Sequence, residues 1–165
     1  MRIFNFLFTA SLLALLGSFS SVAFAADGAI KVTSIAQTEI EVTGKDGKKT
    51  RQRAPVDKVV PGTVVIYTTI FENTAKKPAE GIVINNPVPN DSEYAGGSAF
   101  GKDCEILFSA DGGKKFGHAE ELKIKDAKGK VRTALPKEYT HIRWKYKKKL
   151  PPGNSGEVGF RAAIK

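Results

Sequence analysis

Along most of the chain, apolar and polar positions alternate with a period of two, the spacing of side chains on opposite faces of a β-strand. The densest run, residues 63–72, is almost entirely β-branched or aromatic, types that suit a pleated, buried surface. It sets Val64, Ile66, Thr68 and Ile70 on one face and Val65, Tyr67, Thr69 and Phe71 on the other. Both faces are too apolar for an edge in water, so this strand is predicted to lie centrally in a sandwich. Pro61-Gly62 turns the chain into it. After a loop over 73–81, Ile82, Val83 and Ile84 form a short strand, and residues 85–91, with Pro87 and Pro89, leave the sheet, since proline removes donors.

The same alternation places further strands on either side. Ile30 and Val32, then Ile40 and Val42, read as one or two strands with a switch of register near residues 36–38. Asp46-Gly47 marks a hairpin, and 50–56 is the return strand, with Arg51 and Arg53 making one face basic and Pro55 suiting an edge. Residues 94–99 read as a short edge strand or wide turn. In 103–109, Cys104, Ile106 and Phe108 oppose Asp103, Glu105, Leu107 and Ser109. Residues 118–123 are read as extended into Ile124, 126–130 as a turn and 132–136 as irregular. In 139–147, Ile142, Trp144 and Tyr146 point inward, and His141, Arg143, Lys145 and Lys147 outward, a half-buried strand with a basic outer face. Pro151-Pro152-Gly153 leads to the last strand, 156–164, with Val158, Phe160, Ala162 and Ile164 inward. About seven to nine short strands separated by turns, and no long helix past the N-terminus, define an all-β antiparallel sandwich.

The first 25 residues break this pattern. Arg2 is followed by a mostly apolar stretch, 3–16, and then by Ala23-Phe24-Ala25, a small-x-small cleavage site: the plan of a secretory signal peptide. The alternative, an uncleaved anchor, is opposed by Asn5, Ser11 and Gly17, which leave the run short of the ~20 apolar residues a bilayer requires. The expected organisation is a leader over 1–25 and one domain over 26–165, exported to the periplasm or the cell surface. One ordinary domain of that size buries enough surface to fold without disulfides. The lone cysteine, Cys104, excludes an internal disulfide.

Charge adds a candidate activity. The chain carries +9, and without Arg2 it has 25 Lys and Arg against 17 Asp and Glu, +8. Arg143, Lys145 and Lys147 share one strand face and Lys148 and Lys149 adjoin them. Such a cluster attracts acidic glycan or another polyanion in a salt-sensitive way, although lysines on outer strands also serve simply to prevent aggregation. Nothing in the pattern points to specific nucleic-acid recognition.

Catalysis finds little to work with. A nucleophile needs a base within reach, and the histidines are His118 and His141. His141 is expected on an outward face, and Cys104 is expected to behave as a small buried apolar residue. His118-Ala119-Glu120 has poor spacing for zinc, and Asp91, Glu93 and Asp103 read as solvated loop acids rather than a calcium site. Gly96-Gly97-Ser98 lacks the lysine and the strand-to-helix setting of a phosphate loop. No cofactor and no catalytic residue are expected.

Two resemblances follow from these residues. Pro61-Gly62-Thr63-Val64-Val65-Ile66-Tyr67, then Phe71-Glu72-Asn73-Thr74, Ala79, the stretch 82–89 and the late Leu150-Pro151-Pro152-Gly153 resemble the bacterial surface-protein repeat known as domain of unknown function eleven, over about residues 56–165. That resemblance implies an immunoglobulin-like β-sandwich on an exported protein, present here as a single copy, with no catalytic residues. Ser109-Ala110-Asp111-Gly112-Gly113-Lys114-Lys115-Phe116 is similar to the Asp-box hairpin of sialidases and other β-proteins, in which Ser and Asp tie the turn backbone and the aromatic packs beneath. It implies a folding device and no sialidase activity. Together these readings lead to a non-enzymatic envelope or surface module acting through protein or envelope contacts, with polyanion binding through the basic face as the alternative.

Overall fold

A computed structural model describes residues 22–24 and 30–165. It contains β1 (Val22–Phe24), β2 (Ile30–Thr43), β3 (Lys49–Pro55), β4 (Val64–Asn73), β5 (Val83–Pro87), β6 (Ser92–Tyr94), β7 (Phe100–Gly101), β8 (Cys104–Ser109), β9 (Lys123–Lys125), β10 (Val131–Thr133), β11 (His141–Tyr146) and β12 (Ser155–Ile164). A 3₁₀ turn, Pro136–Glu138, precedes β11. The large sheet runs β3-β2-β4-β12-β6, with β7 also on β12. The small sheet runs β1-β5-β11-β8, and β9 and β10 form a separate hairpin. All pairings between strands are antiparallel. The fold is a β-sandwich, as the alternation predicts.

β4 holds the central place expected of it, between β2 and β12. Its inward residues Val65, Thr69 and Phe71 are buried, and Tyr67 stacks on Phe160 of β12 at 5.2 Å between ring centres. The core lies between the sheets, with Trp144 and Ile142 of β11, Ile84 of β5 and Phe160 and Val158 of β12 among its fully buried members. Asn86, also fully buried, crosses this layer and donates from its Nδ2 to Thr69 Oγ1 at 2.8 Å. The loop after β4 is built on Asn73. Its Nδ2 donates to the carbonyls of Lys77 and Leu150, each at 2.8 Å, and its Oδ1 accepts from Ala75 N–H at 3.0 Å.

Several expectations change at element boundaries. β2 is one continuous strand without a register switch. Ile30, Val32, Ile40 and Val42 are all even-numbered, so a single strand already keeps them on one face, with Ala36 opposite Tyr67 and Thr38 opposite Val65 in between. β5 runs on to Pro87 rather than leaving the sheet at Asn85. Proline is admissible there because position 87 has its missing N–H on the side away from β11, where Val88 N–H donates to Thr140 O at 2.8 Å. Residues 118–121 form a turn, closed by Glu121 N–H to His118 O at 2.9 Å, rather than an extended lead into Ile124. Residues 131–133, expected partly as irregular chain, pair with β9.

The leader expectation falls mostly on residues 1–21 and 25, outside the described residues. Its described part, β1, pairs with β5. Among the described residues no helix is long and apolar enough to cross a membrane.

Candidate functional site

The outward face of β11 presents Arg143 and Lys145, and Lys147 follows just past its end, in the row that the alternation predicts. What the sequence does not display is the strand beside it. β8 pairs with β11 so that Glu105 stands opposite Lys145 and Leu107 opposite Arg143, and β5 places Asn85 opposite Arg143 on the other flank.

Four of the five basic residues face carboxylates. Lys147 Nζ donates to Glu105 Oε2, and Lys145 Nζ lies 4.0 Å from the same oxygen. His118 Nε2 is 3.6 Å from Glu105 Oε1. The Lys147 bond, against the opposing effect of desolvation and with the charges of Lys145, Lys147 and His118, holds the Glu105 carboxyl below its ordinary range. Lys148 Nζ is 3.0 Å from Asp103 Oδ1, and Lys149 Nζ is 2.6 Å from Glu80 Oε1. The Glu80 bond raises the Lys149 ammonium above its usual value.

Arg143 differs. Its Nε donates to Asn85 Oδ1 at 2.7 Å, and its guanidinium carbon lies 3.7 Å from the centre of the Phe116 ring. It has no carboxylate within ion-pair distance among the described residues. Phe116 is the aromatic that ends the Asp-box segment, and the hydrogen bonds of that segment explain its position. Ser109 Oγ donates to Asp111 Oδ1 at 2.8 Å and accepts from Gly113 N–H at 3.0 Å. Asp111 Oδ1 also accepts from Lys114 N–H at 3.1 Å and Lys115 N–H at 3.0 Å. These bonds, the one from Lys115 N–H first, hold the Asp111 carboxyl below its usual range. Gly112 and Gly113 take positive φ, +76° and +81°, where a side chain is strained. The loop then returns along β8, with Phe108 and Gly117 exchanging backbone bonds at 2.9 and 3.1 Å, and Phe116 is left beneath the arginine. Phe116 also forms one wall of an open cleft of about 350 Å³, lined besides by Asp111, Lys115, Glu121, Leu122 and Ile124.

A pair of Cys104 with a histidine does not form. Cys104 is opposite Tyr146 on the inner face of the small sheet and packs against the core, whereas His141 and the His118–Glu105 pair are on the outer side. Burial, with a smaller contribution from Asp103, pushes the Cys104 thiol up to about 11, which keeps it protonated. His141 is half-buried rather than fully outward. The Gly113 backbone sits against its ring, so that a β-carbon there would be 3.2 Å from it, and desolvation, opposed by Asp111, lowers its pKa. Among the described residues no three His, Cys, Asp or Glu side chains come together to hold a metal.

The site is therefore a fixed arginine on an aromatic ring, edged by lysines that are mostly balanced by their own carboxylates. Sequence reasoning found the basic row but missed Asn85, Glu105 and Phe116 as its partners. The Asp-box spacing is the one signal that located Phe116. No protein-family model matches the chain, and no curated protein matches it.

Proposed function

We propose that this chain is an exported, non-enzymatic β-sandwich module that works by contact with a protein partner of the envelope, gripping it on the outer face of the small sheet about Arg143 and Phe116. The observation that carries this reading is the setting of Arg143: it is held by Asn85 and Phe116 and has no carboxylate among the described residues. A pre-positioned guanidinium loses little freedom on binding and offers a planar fork to a carboxylate. Arginine and aromatic side chains are also the types that dominate protein interfaces. Export is supported by Arg2, the apolar stretch 3–16 and Ala23-Phe24-Ala25. The resemblance to the exported repeat family is in keeping with a contact module at the periplasmic or outer surface.

The second reading, binding of an acidic glycan or other polyanion, draws on the +8 charge left after Arg2 is removed. Against it, Lys145, Lys147, Lys148 and Lys149 already face Glu105, Asp103 and Glu80. A salt series on isolated envelopes distinguishes the two. Under the contact reading, Arg143→Ala and Phe116→Ala each release the protein at low salt, and Lys148→Ala with Lys149→Ala leaves it bound. Release that follows the lysine pair, while Arg143→Ala stays bound, transfers the function to the polyanion reading. Retention of all these variants overturns both.

A further inference from the structure

The two edges of the small sheet are closed by different means. At the β8 edge, Phe108 exchanges backbone bonds with Gly117. At the other edge β5 is covered by β1, with Val22 opposite Asn85, Ala23 opposite Ile84 and Phe24 opposite Val83. Tyr146 N–H donates to Ile82 O at 2.9 Å and Val88 N–H to Thr140 O at 2.8 Å, so even-numbered residues of this stretch direct their backbone groups at β11. Alternate residues of a strand serve opposite neighbours. The N–H and C=O of Val83 and Asn85 therefore face β1. Pro87, next on that side, offers no N–H, and the pairing edge ends there.

The leader plan in the sequence puts cleavage after Ala25. Val22–Phe24 lies upstream of that bond, so the cut that completes export would also remove the strand covering β5. Four backbone groups, on Val83 and Asn85, would lose their partners beside Ile84, which is 1 % exposed. Unpaired edges of this kind recruit another strand.

We propose that, once the leader is removed, the β5 edge is closed by β5 of a second copy of this chain, antiparallel about a two-fold axis at Ile84. The proposal rests on the export reading above. β1 is centred on Ile84 and pairs with Val83 and Asn85. β5 turned upon itself about Ile84 gives the same register: Val83 opposite Asn85 of the second copy, Asn85 opposite its Val83, and the two Ile84 residues side by side. Such a contact is self-complementary and closes at two subunits. The basic rows do not oppose it. Each β11 lies one strand inside its β5, so the rows stand about 14 Å apart at the usual strand spacing, beyond the Debye length of about 8 Å in physiological salt.

Sedimentation across a dilution series, using chains that begin at Ser21 and at Ala26, tests this. The chain from Ala26 is expected to show a reversible monomer–dimer equilibrium, and the chain from Ser21, which keeps β1, to remain monomeric. Asn85→Pro in the shorter chain is expected to abolish the dimer. The synthetic peptide of residues 21–25, added to the unsubstituted shorter chain, is expected to convert dimer to monomer, a test that alters no residue of the fold. A chain from Ala26 that stays monomeric throughout, or a dimer indifferent to the peptide, overturns the second-copy assignment and leaves the export reading standing. N-terminal sequencing of the exported protein separates the two: a mature end upstream of Val22 removes the premise and the proposal with it.

Discussion

Gly156 and Phe71 face each other across β12 and β4, and the phenylalanine ring fills the space that a side chain at 156 would need: a β-carbon there would lie 2.2 Å from Phe71 Cζ. Phe71 in turn meets Tyr146 of the opposite sheet edge-on, 5.5 Å between ring centres. The glycine thus sets how far this ring reaches into the core. Gly156→Ala is expected to destabilise the fold by about 1–3 kcal/mol, the usual cost of overpacking. Urea unfolding reads this as a lower midpoint at unchanged slope. Adding Phe71→Leu to Gly156→Ala is expected to cost less than the sum of the two single changes, because the shorter side chain makes room for the new methyl. Strict additivity would show that the two residues do not share this space.

Asn73 supports the loop that closes the end of the sandwich, with three side-chain hydrogen bonds from a fully buried position. Asn73→Ala removes all three and is expected to cost roughly 2–4 kcal/mol in urea unfolding. Asn73→Asp is expected to be at least as damaging although it is nearly the same shape. It would set a carboxylate oxygen against the carbonyls of Lys77 and Leu150, where the amide now donates. A well-tolerated Asn73→Asp would show that these donations contribute little.

Much of the sandwich is legible because its strands report themselves locally. Val64–Asn73 and Ser155–Ile164 alternate so strongly that their faces follow from the sequence alone, and Pro61-Gly62 and Gly153 mark the turns that lead into them. Interactions across strands are a different matter. Lys145 meets Glu105, and Arg143 meets Asn85, only because β8 and β5 flank β11 in one particular register, information that no window along the chain contains. The same applies to Gly117, whose bonds to Phe108 convert an apparent extended lead into a covered edge followed by a turn. Phe116 is intermediate. Its spacing from Ser109 and Asp111 was visible, whereas the guanidinium above it was not.

The Glu138–Arg132 pair gives the fold an acid-sensitive contact. Arg132 Nη1 and Nη2 donate to the two carboxylate oxygens of Glu138 at 2.7 and 2.6 Å, and Leu135 N–H donates to Glu138 Oε2 at 2.8 Å. These bonds, that of Arg132 first, bring the Glu138 carboxyl down to about 2 from its ordinary 4.5. A carboxyl depressed in the folded state stabilises it above the unfolded pKa, and that contribution is lost as pH falls through the folded value. The stability difference between the natural chain and Glu138→Gln is therefore expected to be constant above pH 4.5 and to shrink as pH falls from 4.5 to about 2. Chemical denaturation at a series of pH values reads it. A difference that is unchanged down to pH 2 would mean that the carboxylate charge plays no part.

Cys104 provides a check on the packing of the inner face that needs no substitution. Desolvation raises its thiol to about 11 from an ordinary 9.0, and the thiolate is the form that reacts. At pH 8 the thiolate fraction of the folded protein is then roughly a hundredfold below that of the unfolded chain, since each pKa unit is tenfold in equilibrium. Alkylation by iodoacetamide is expected to be slower in the folded protein by about tenfold or more, because the greater nucleophilicity of a high-pKa thiolate offsets part of its lower fraction while steric cover adds to the slowing. The rate should still be climbing with pH at pH 10. Equal rates in folded and denatured protein at pH 8 would place Cys104 in solvent and remove it from the layer between the sheets.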